Sequence, residues 1–316
     1  MIATATRPGP RTRTFENKFR AAVLRTLLYY DIWRYPLRAV ELHAFLPVPV
    51  RDFAGFTSAL DRLVREGYVG EERGYYFVPG PPAGRVSARL RGERHARRMW
   101  LAARAAAHVI KRFPFVRGIF VSGDLSKNVT HPGSDVDFLI LTEPGRLWIA
   151  RTLLILFKRT ALLGSKKFFC VNSFAATDCM EVAERNVYQA TEIAQLKPLF
   201  NARLFGGYIE ANGWIREYFP NFTAGALPSP SPSDRRSVLQ RIAEIPFSLI
   251  PARRIDARIM HAMERYWTKR YPQFDGKTRA DIFRCAPGES RAYAGNFQGK
   301  ILGAYCVKLR EFGVQP

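Results

Sequence analysis

Residues 118–142, GIFVSGDLSKNVTHPGSDVDFLILT, set a glycine turn between two apolar runs and place two aspartates at the head of the second run. Few folds accommodate that arrangement. Strand side chains alternate between faces, so Asp135 and Asp137 share one side while Val136 and Phe138 share the other. Two carboxylates one pleat apart repel unless a positive charge lies between them, and hard oxygen ligands suit Mg²⁺. Upstream, Phe120, Val121 and Ser122 end a strand, Gly123 turns the chain, and residues 125–128 begin a helix. A helix start offers open backbone N–H groups to a phosphate, and Lys127 adds a charge. The pattern predicts phosphate and metal ligands at the ends of two neighbouring strands.

The motif reads Val121-Ser122-Gly123-Asp124, then ten residues, then Asp135-Val136-Asp137-Phe138, with Gly133 and Ser134 just before the acids. It resembles the nucleotidyltransferase superfamily, the DNA polymerase β-like fold, over about residues 100–200. The resemblance implies a mixed α/β (α+β) sheet flanked by helices. It also implies Mg²⁺ (or Mn²⁺) held by Asp135 and Asp137, which would be the catalytic acids. Ser122, Gly123, Asp124, Ser126, Lys127 and Ser134 would then cradle the nucleotide phosphates. The implied reaction moves a nucleoside monophosphate from a nucleoside triphosphate to an acceptor hydroxyl on a small molecule, a protein or a nucleic acid.

Two positions depart from the family pattern. Asp124 stands where a small Ser or Gly is usual, and it reads as a helix N-cap. The third carboxylate expected on a later strand is replaced in KKFFCVNSFAATD by Asn172, a candidate third metal-site position; Asp178 or Glu181 would have to reach in from the strand end. These departures sustain a reading of another class, a non-catalytic nucleotide-sensing DNA-binding regulator or a partner-binding pseudoenzyme on the same fold.

Ahead of this motif, residues 15–80 read as three helices and a hairpin. The second helix starts at Pro36, the third carries the apolar stripe Phe56, Leu60, Leu63 and Val64, and Gly67 stops it before YVGEERGYYFV. That order resembles a winged helix-turn-helix domain. It implies a third helix meeting DNA through Arg51, Ser58, Arg62 and Arg65, or a domain that holds a protein partner. Asp52, Asp61, Glu66, Glu71 and Glu72 on the same helix and wing oppose phosphate attraction.

The 316-residue chain carries a formal net charge of +22, which favours polyanionic partners. Six arginines between Arg85 and Arg98 face one acid, Glu93; the run reads as a solvated face of a linking helix, with a phosphate-tracking surface as its alternative. The expected layout is a disordered 1–14, the winged-helix domain 15–80, the basic helix and nucleotidyltransferase-like domain 85–222, a Pro/Ser-rich linker 223–234 and a helical region 235–316. Cys170, Cys179, Cys285 and Cys306 form no CxxC pair, and the longest apolar stretch, 147–163, contains Arg151, Lys158 and Arg159. A cytoplasmic location and no membrane partner are the expectations. His131 in the loop before the acids and Arg146 after them are further candidates for substrate contact. Cys170 reads as a buried structural thiol, and Trp267, Tyr266 and Tyr271 as core aromatics, with stacking on a base or sugar as their alternative.

Overall fold

The computed structural model describes residues 10–81, 83–164, 167–224, 236–248, 251–292 and 296–315. In chain order the elements are α1 (Pro10–Asp31), β1 (Leu37–Arg38), α2 (Ala39–Ala44), α3 (Phe53–Arg65), β2 (Gly70–Glu72), β3 (Tyr75–Phe77) and α4 (Arg85–Ile110). Then come β4 (Val116–Ser122), α5 (Gly123–Ser126), β5 (Asp137–Thr142), α6 (Leu147–Ala161), β6 (Cys170–Ala176), α7 (Val187–Gln195), β7 (Lys197–Phe200), α8 (Ala202–Ala211) and α9 (Ile215–Tyr218). The last are α10 (Val238–Ser248), α11 (Ala252–Arg270), α12 (Gly276–Ile282), β8 (Phe283–Ala286), β9 (Glu289–Ala292) and α13 (Phe297–Glu311). The class is mixed α/β. Among the described residues no helix is long and apolar enough to cross a membrane.

The chain divides into two compact units, one of Met1–Arg89, Trp214–Leu227 and Gly299–Pro316, the other of Leu90–Gly213 and Pro228–Gln298. This interleaving replaces the consecutive layout expected from sequence: the break near 80–85 falls after Arg89, and the region 235–316 is not a separate helical body. Residues 1–9, and the Pro/Ser-rich segment beyond Ala224, lie outside the described residues.

In the first unit α1 starts at Pro10, inside the stretch expected to be disordered. Pro36 does not open a helix. Leu37 and Arg38 pair with Tyr76 and Tyr75, and α2 follows at Ala39, its start held by a 2.8 Å bond from Arg38 N–H to the Glu41 carboxylate. The three-residue stretches β2 and β3 form the expected hairpin, giving a sheet of order β1-β3-β2. Phe56, Leu60 and Leu63 bury the inner stripe of α3, and Asp52 caps it by accepting from Ala54 and Gly55 N–H at 3.0 Å.

The second unit is built on a six-stranded mixed sheet of order β7-β4-β5-β6-β9-β8. β4 and β5 are antiparallel, with Ser122 opposite Asp137; β5 and β6 are parallel, with Cys170 beside Asp137 and Ala176 beside Thr142. Val121, Val136, Phe138, Ile140, Val171 and Phe174 bury one face with residues of α4, α6 and α11. The hairpin β8–β9 extends the sheet beyond β6, so the C-terminal region expected to be helical supplies two strands. It was masked in the sequence because FRCAPGESRA is short, charged and broken by Pro and Gly, and its partner strand lies more than a hundred residues upstream.

Candidate active site

The site begins where β4 ends. Gly123 has φ +66°, a conformation that side chains disfavour, and a Cβ there would sit 2.7 Å from Asp137 Oδ2. Glycine therefore lets the turn press directly against the carboxylate. The helix expected over 125–128 is the single turn α5, ended by Asn128 at φ +57°. A phosphate would meet a few open N–H groups here rather than the dipole of a long helix.

Asp137 opens β5, while Asp135 lies in the loop ahead of it, so the two acids do not alternate along one strand as expected. Burial first, and then the charges of Asp135, Asp124 and Glu192, push the Asp137 carboxyl up to about 6, against a partly opposing hydrogen bond from the Cys170 thiol. The buried Cys170 is in turn pushed up by its own burial and by Asp137. Asn172 shares this corner, its Nδ2 2.8 Å from Cys170 Sγ.

Asp124 is not a cap. The N-cap position is Ser122, and Asp124 instead accepts from Ser134 Oγ at 2.9 Å and lies 3.6 Å from His131 Nε2. His131 Nδ1 accepts from Gly133 N–H at 3.1 Å, so Nε2 carries the ring hydrogen toward Asp124. Ser134 Oγ also accepts from His131 N–H at 3.0 Å. The residue that looked anomalous beside a phosphate thus fastens the loop that delivers Asp135. Ser126 and Ser134, expected to face phosphate, spend their hydroxyls on this framework, Ser126 by donating to the Gly123 carbonyl at 2.8 Å.

Sequence reading missed Glu192. It sits on α7, its Oε1 3.4 Å from Lys127 Nζ, and contributes to the field on Asp137. An acid on an amphipathic helix gives no local signal of such a role; only the fold brings it here. Asp178 and Glu181 do not reach the site. They follow the opposite end of β6, and Glu181 pairs with Arg185 at 2.7 Å. Arg146 occupies the N-cap position of α6 and lies over the Phe115 ring at 5.6 Å, away from the acids. Trp267 and Tyr271 pack on Phe283, whereas Tyr266, expected in the core with them, points from the other side of α11 and is exposed.

Among the described residues no three His, Cys, Asp or Glu side chains are grouped to hold a metal. The donor set still fits Mg²⁺, which commonly takes one or two carboxylates and completes its shell with water and substrate phosphate. Arg51 precedes the cap of α3 rather than lying on the helix; it and Ser58, Arg62 and Arg65 are exposed, but Arg62 pairs with Glu16 and Ser58 bonds the Ala54 carbonyl at 3.0 Å. The chain matches no protein-family model, no curated protein and no solved structure.

Proposed function

We propose that this protein is a Mg²⁺-dependent nucleotidyltransferase that moves a nucleoside monophosphate from a nucleoside triphosphate to an acceptor hydroxyl. The carrying observation is the Gly123 turn pressed against Asp137, an acid pushed up first by its burial and then by the carboxylates around it. Asp137 and Asp135 would hold the metal, which when bound neutralises phosphate charge and polarises the reacting phosphorus. Backbone N–H groups of the turn, Ser122 and Lys127 orient the triphosphate. Asp124, Ser126 and Ser134 keep the turn and the acid loop in place. Glu192, ion-paired with Lys127 at 3.4 Å, steadies that lysine, and the acceptor hydroxyl gives up its proton to water. As the hydroxyl oxygen bonds the α-phosphorus, the bond from the α-phosphorus to the bridging oxygen breaks and pyrophosphate leaves. Asn172 holds the corner with Cys170 and cannot act as a base.

The helix–strand–helix–helix–strand–strand order of the first unit, with β1 paired beside the hairpin, supports the winged-helix reading of that unit. Its α3 would bind DNA or a protein partner. The test of the transferase is pyrophosphate release from each of the four triphosphates with Mg²⁺ or Mn²⁺. The wild type should release it and the Asp135→Asn/Asp137→Asn variant should not. Folded wild type that binds nucleotide without release would favour a nucleotide-sensing regulator instead.

A further inference from the structure

The segment that leads into β6 runs beside the acid loop. Val136, between Asp135 and Asp137, donates its N–H to the Lys167 carbonyl at 2.9 Å and accepts from Cys170 N–H at 3.1 Å, so residues 167–170 bracket it. Val136 is wholly buried, Phe169 is buried in the same core against Phe157, and the Cys170 thiol turns to Asp137. Phe168 does not join that core and is 46% exposed. The bond from Val136 N–H joins the 135–136 peptide to the 167–168 peptide, so the Cα atoms of Asp135 and Phe168 lie within about 8 Å of each other. A large apolar ring is thus left in solvent beside a carboxylate cluster, where a polar side chain would be the ordinary choice. Lys167 Nζ lies 5.6 Å from the ring centroid and occupies one face of it.

We propose that Phe168 is the platform on which the nucleobase of the triphosphate stacks, and that the protein takes purine nucleoside triphosphates in preference to pyrimidine ones. This rests on the transferase reading above and names the substrate class of that site. With the triphosphate held at the Gly123 turn and the two acids, the base projects one sugar away from the α-phosphate, a span comparable with the separation of Asp135 from Phe168. Stacking on an aromatic ring needs no hydrogen-bonding groups and accepts every base, with preference set by stacking strength. A bicyclic purine overlaps the ring more than a pyrimidine does, which gives the preference its sign. Lys167 on one face steadies the ring and leaves the opposite face to the base.

The test uses the full chain with Mg²⁺ and probes that cannot turn over: α,β-methylene-ATP, α,β-methylene-UTP and inorganic tripolyphosphate, which carries no base. Isothermal titration reads binding, and initial rates of pyrophosphate release give KM and kcat for ATP and UTP. Phe168→Ala should weaken α,β-methylene-ATP roughly five- to a hundred-fold and leave tripolyphosphate within about two-fold, while Phe168→Trp keeps wild-type affinity or better. In turnover the same loss should appear in KM for ATP, with kcat changed less than about three-fold. Wild type should bind the ATP analogue at least about three-fold more tightly than the UTP analogue, and Phe168→Ala should narrow that ratio. Tyr266→Ala, which removes an exposed ring of α11, should change none of these. A Phe168→Ala variant that keeps its nucleotide affinity, one that loses tripolyphosphate equally, or a wild type that binds no analogue overturns the platform. Equal affinity of the wild type for the two analogues overturns the purine assignment. Platform-dependent binding with no pyrophosphate release from any triphosphate overturns the transferase reading instead and leaves the stacking site standing.

Discussion

The two ends of the β4–β5 pair handle charge in opposite ways. At the Val116/Thr142 end, Arg117 pairs with Glu143 and with Glu244 at 2.7 Å. Glu244 also accepts from Phe115 N–H at 2.8 Å and meets Arg236 at 2.9 Å. Burial alone would push Glu244 up, but the Arg117 hydrogen bond, the Phe115 N–H and the charges of Arg117 and Arg236 together hold it below its ordinary value. At the Ser122/Asp137 end, burial and three other carboxylates act in the same direction, and Asp137 stays high at about 6. One end is a completed ion network that fastens α10 to the sheet. The other has surplus negative charge that a bound cation would relieve, the kind of departure from stability rules that marks a candidate site.

Asp137→Asn should break this contrast most sharply. Pyrophosphate release should fall by at least about a hundred-fold. Without metal, the same variant should be more stable than wild type above pH 6, by on the order of 3 kcal/mol for a carboxyl raised to about 6. The sign follows from linkage. The fold holds this proton more tightly than the unfolded chain does, so Asp137's contribution falls as pH rises from its ordinary value toward 6. Urea unfolding at pH 5 and pH 7.5, with and without Mg²⁺, reads the effect; a variant no more stable than wild type at pH 7.5 would show that the carboxylate is already compensated.

At the completed end, Arg117→Ala should cost about 2–4 kcal/mol, because it strands the partly buried Glu244 and loosens Glu143. The pH dependence runs the other way here. Glu244 is held low, so its stabilisation is present above the ordinary carboxylate range and is lost as pH falls through its lowered value. Glu244→Gln should flatten the acid limb of the stability profile, and an unchanged limb would remove this residue from the account. Gly123→Ala should cost about 2 kcal/mol, from the positive φ and the overlap with Asp137. It should also lower turnover, whereas Gly164→Ala, at φ +77° with open space around it, should cost stability alone. Thermal melts paired with initial rates separate the two.

Local patterns were legible. The 3.6-residue stripe of α3, the β2–β3 hairpin and the β4 turn all follow from short-range spacing, and so does the placing of that turn and Asp137 at the ends of two neighbouring strands. What sequence missed is carried by long-range partners. Asp124 reads locally as a cap, yet its partner is Ser134, ten positions on. Glu192 reads as a solvated helix acid until Lys127 is seen beside it. Glu244, in the far-end network, is 127 positions from Arg117. The arginine run of α4 looked uniform because composition cannot tell Arg89, buried against Glu41, from Arg91, Arg94 and Arg98, which are exposed.

The smallest expected effect tests how the sheet is laid out. Because β6 runs parallel to β5, its Cys170 end lies at Asp137 and its Ala176 end at Thr142. Asp178 follows the Ala176 end, so about six residues of strand, close to 20 Å, separate it from the acid cluster. Sequence order had offered it as the missing third carboxylate, and the parallel register removes it. Asp178→Asn/Glu181→Gln should therefore change turnover less than about two-fold and stability by about 0.5 kcal/mol or less, since both side chains are exposed. Steady-state pyrophosphate release and urea midpoints suffice to measure it. A loss comparable to that of Asp137→Asn would mean that β6 is shifted or reversed against β5. Asp124 and Glu192 would then no longer be the carboxylates that join Asp135 in acting on Asp137.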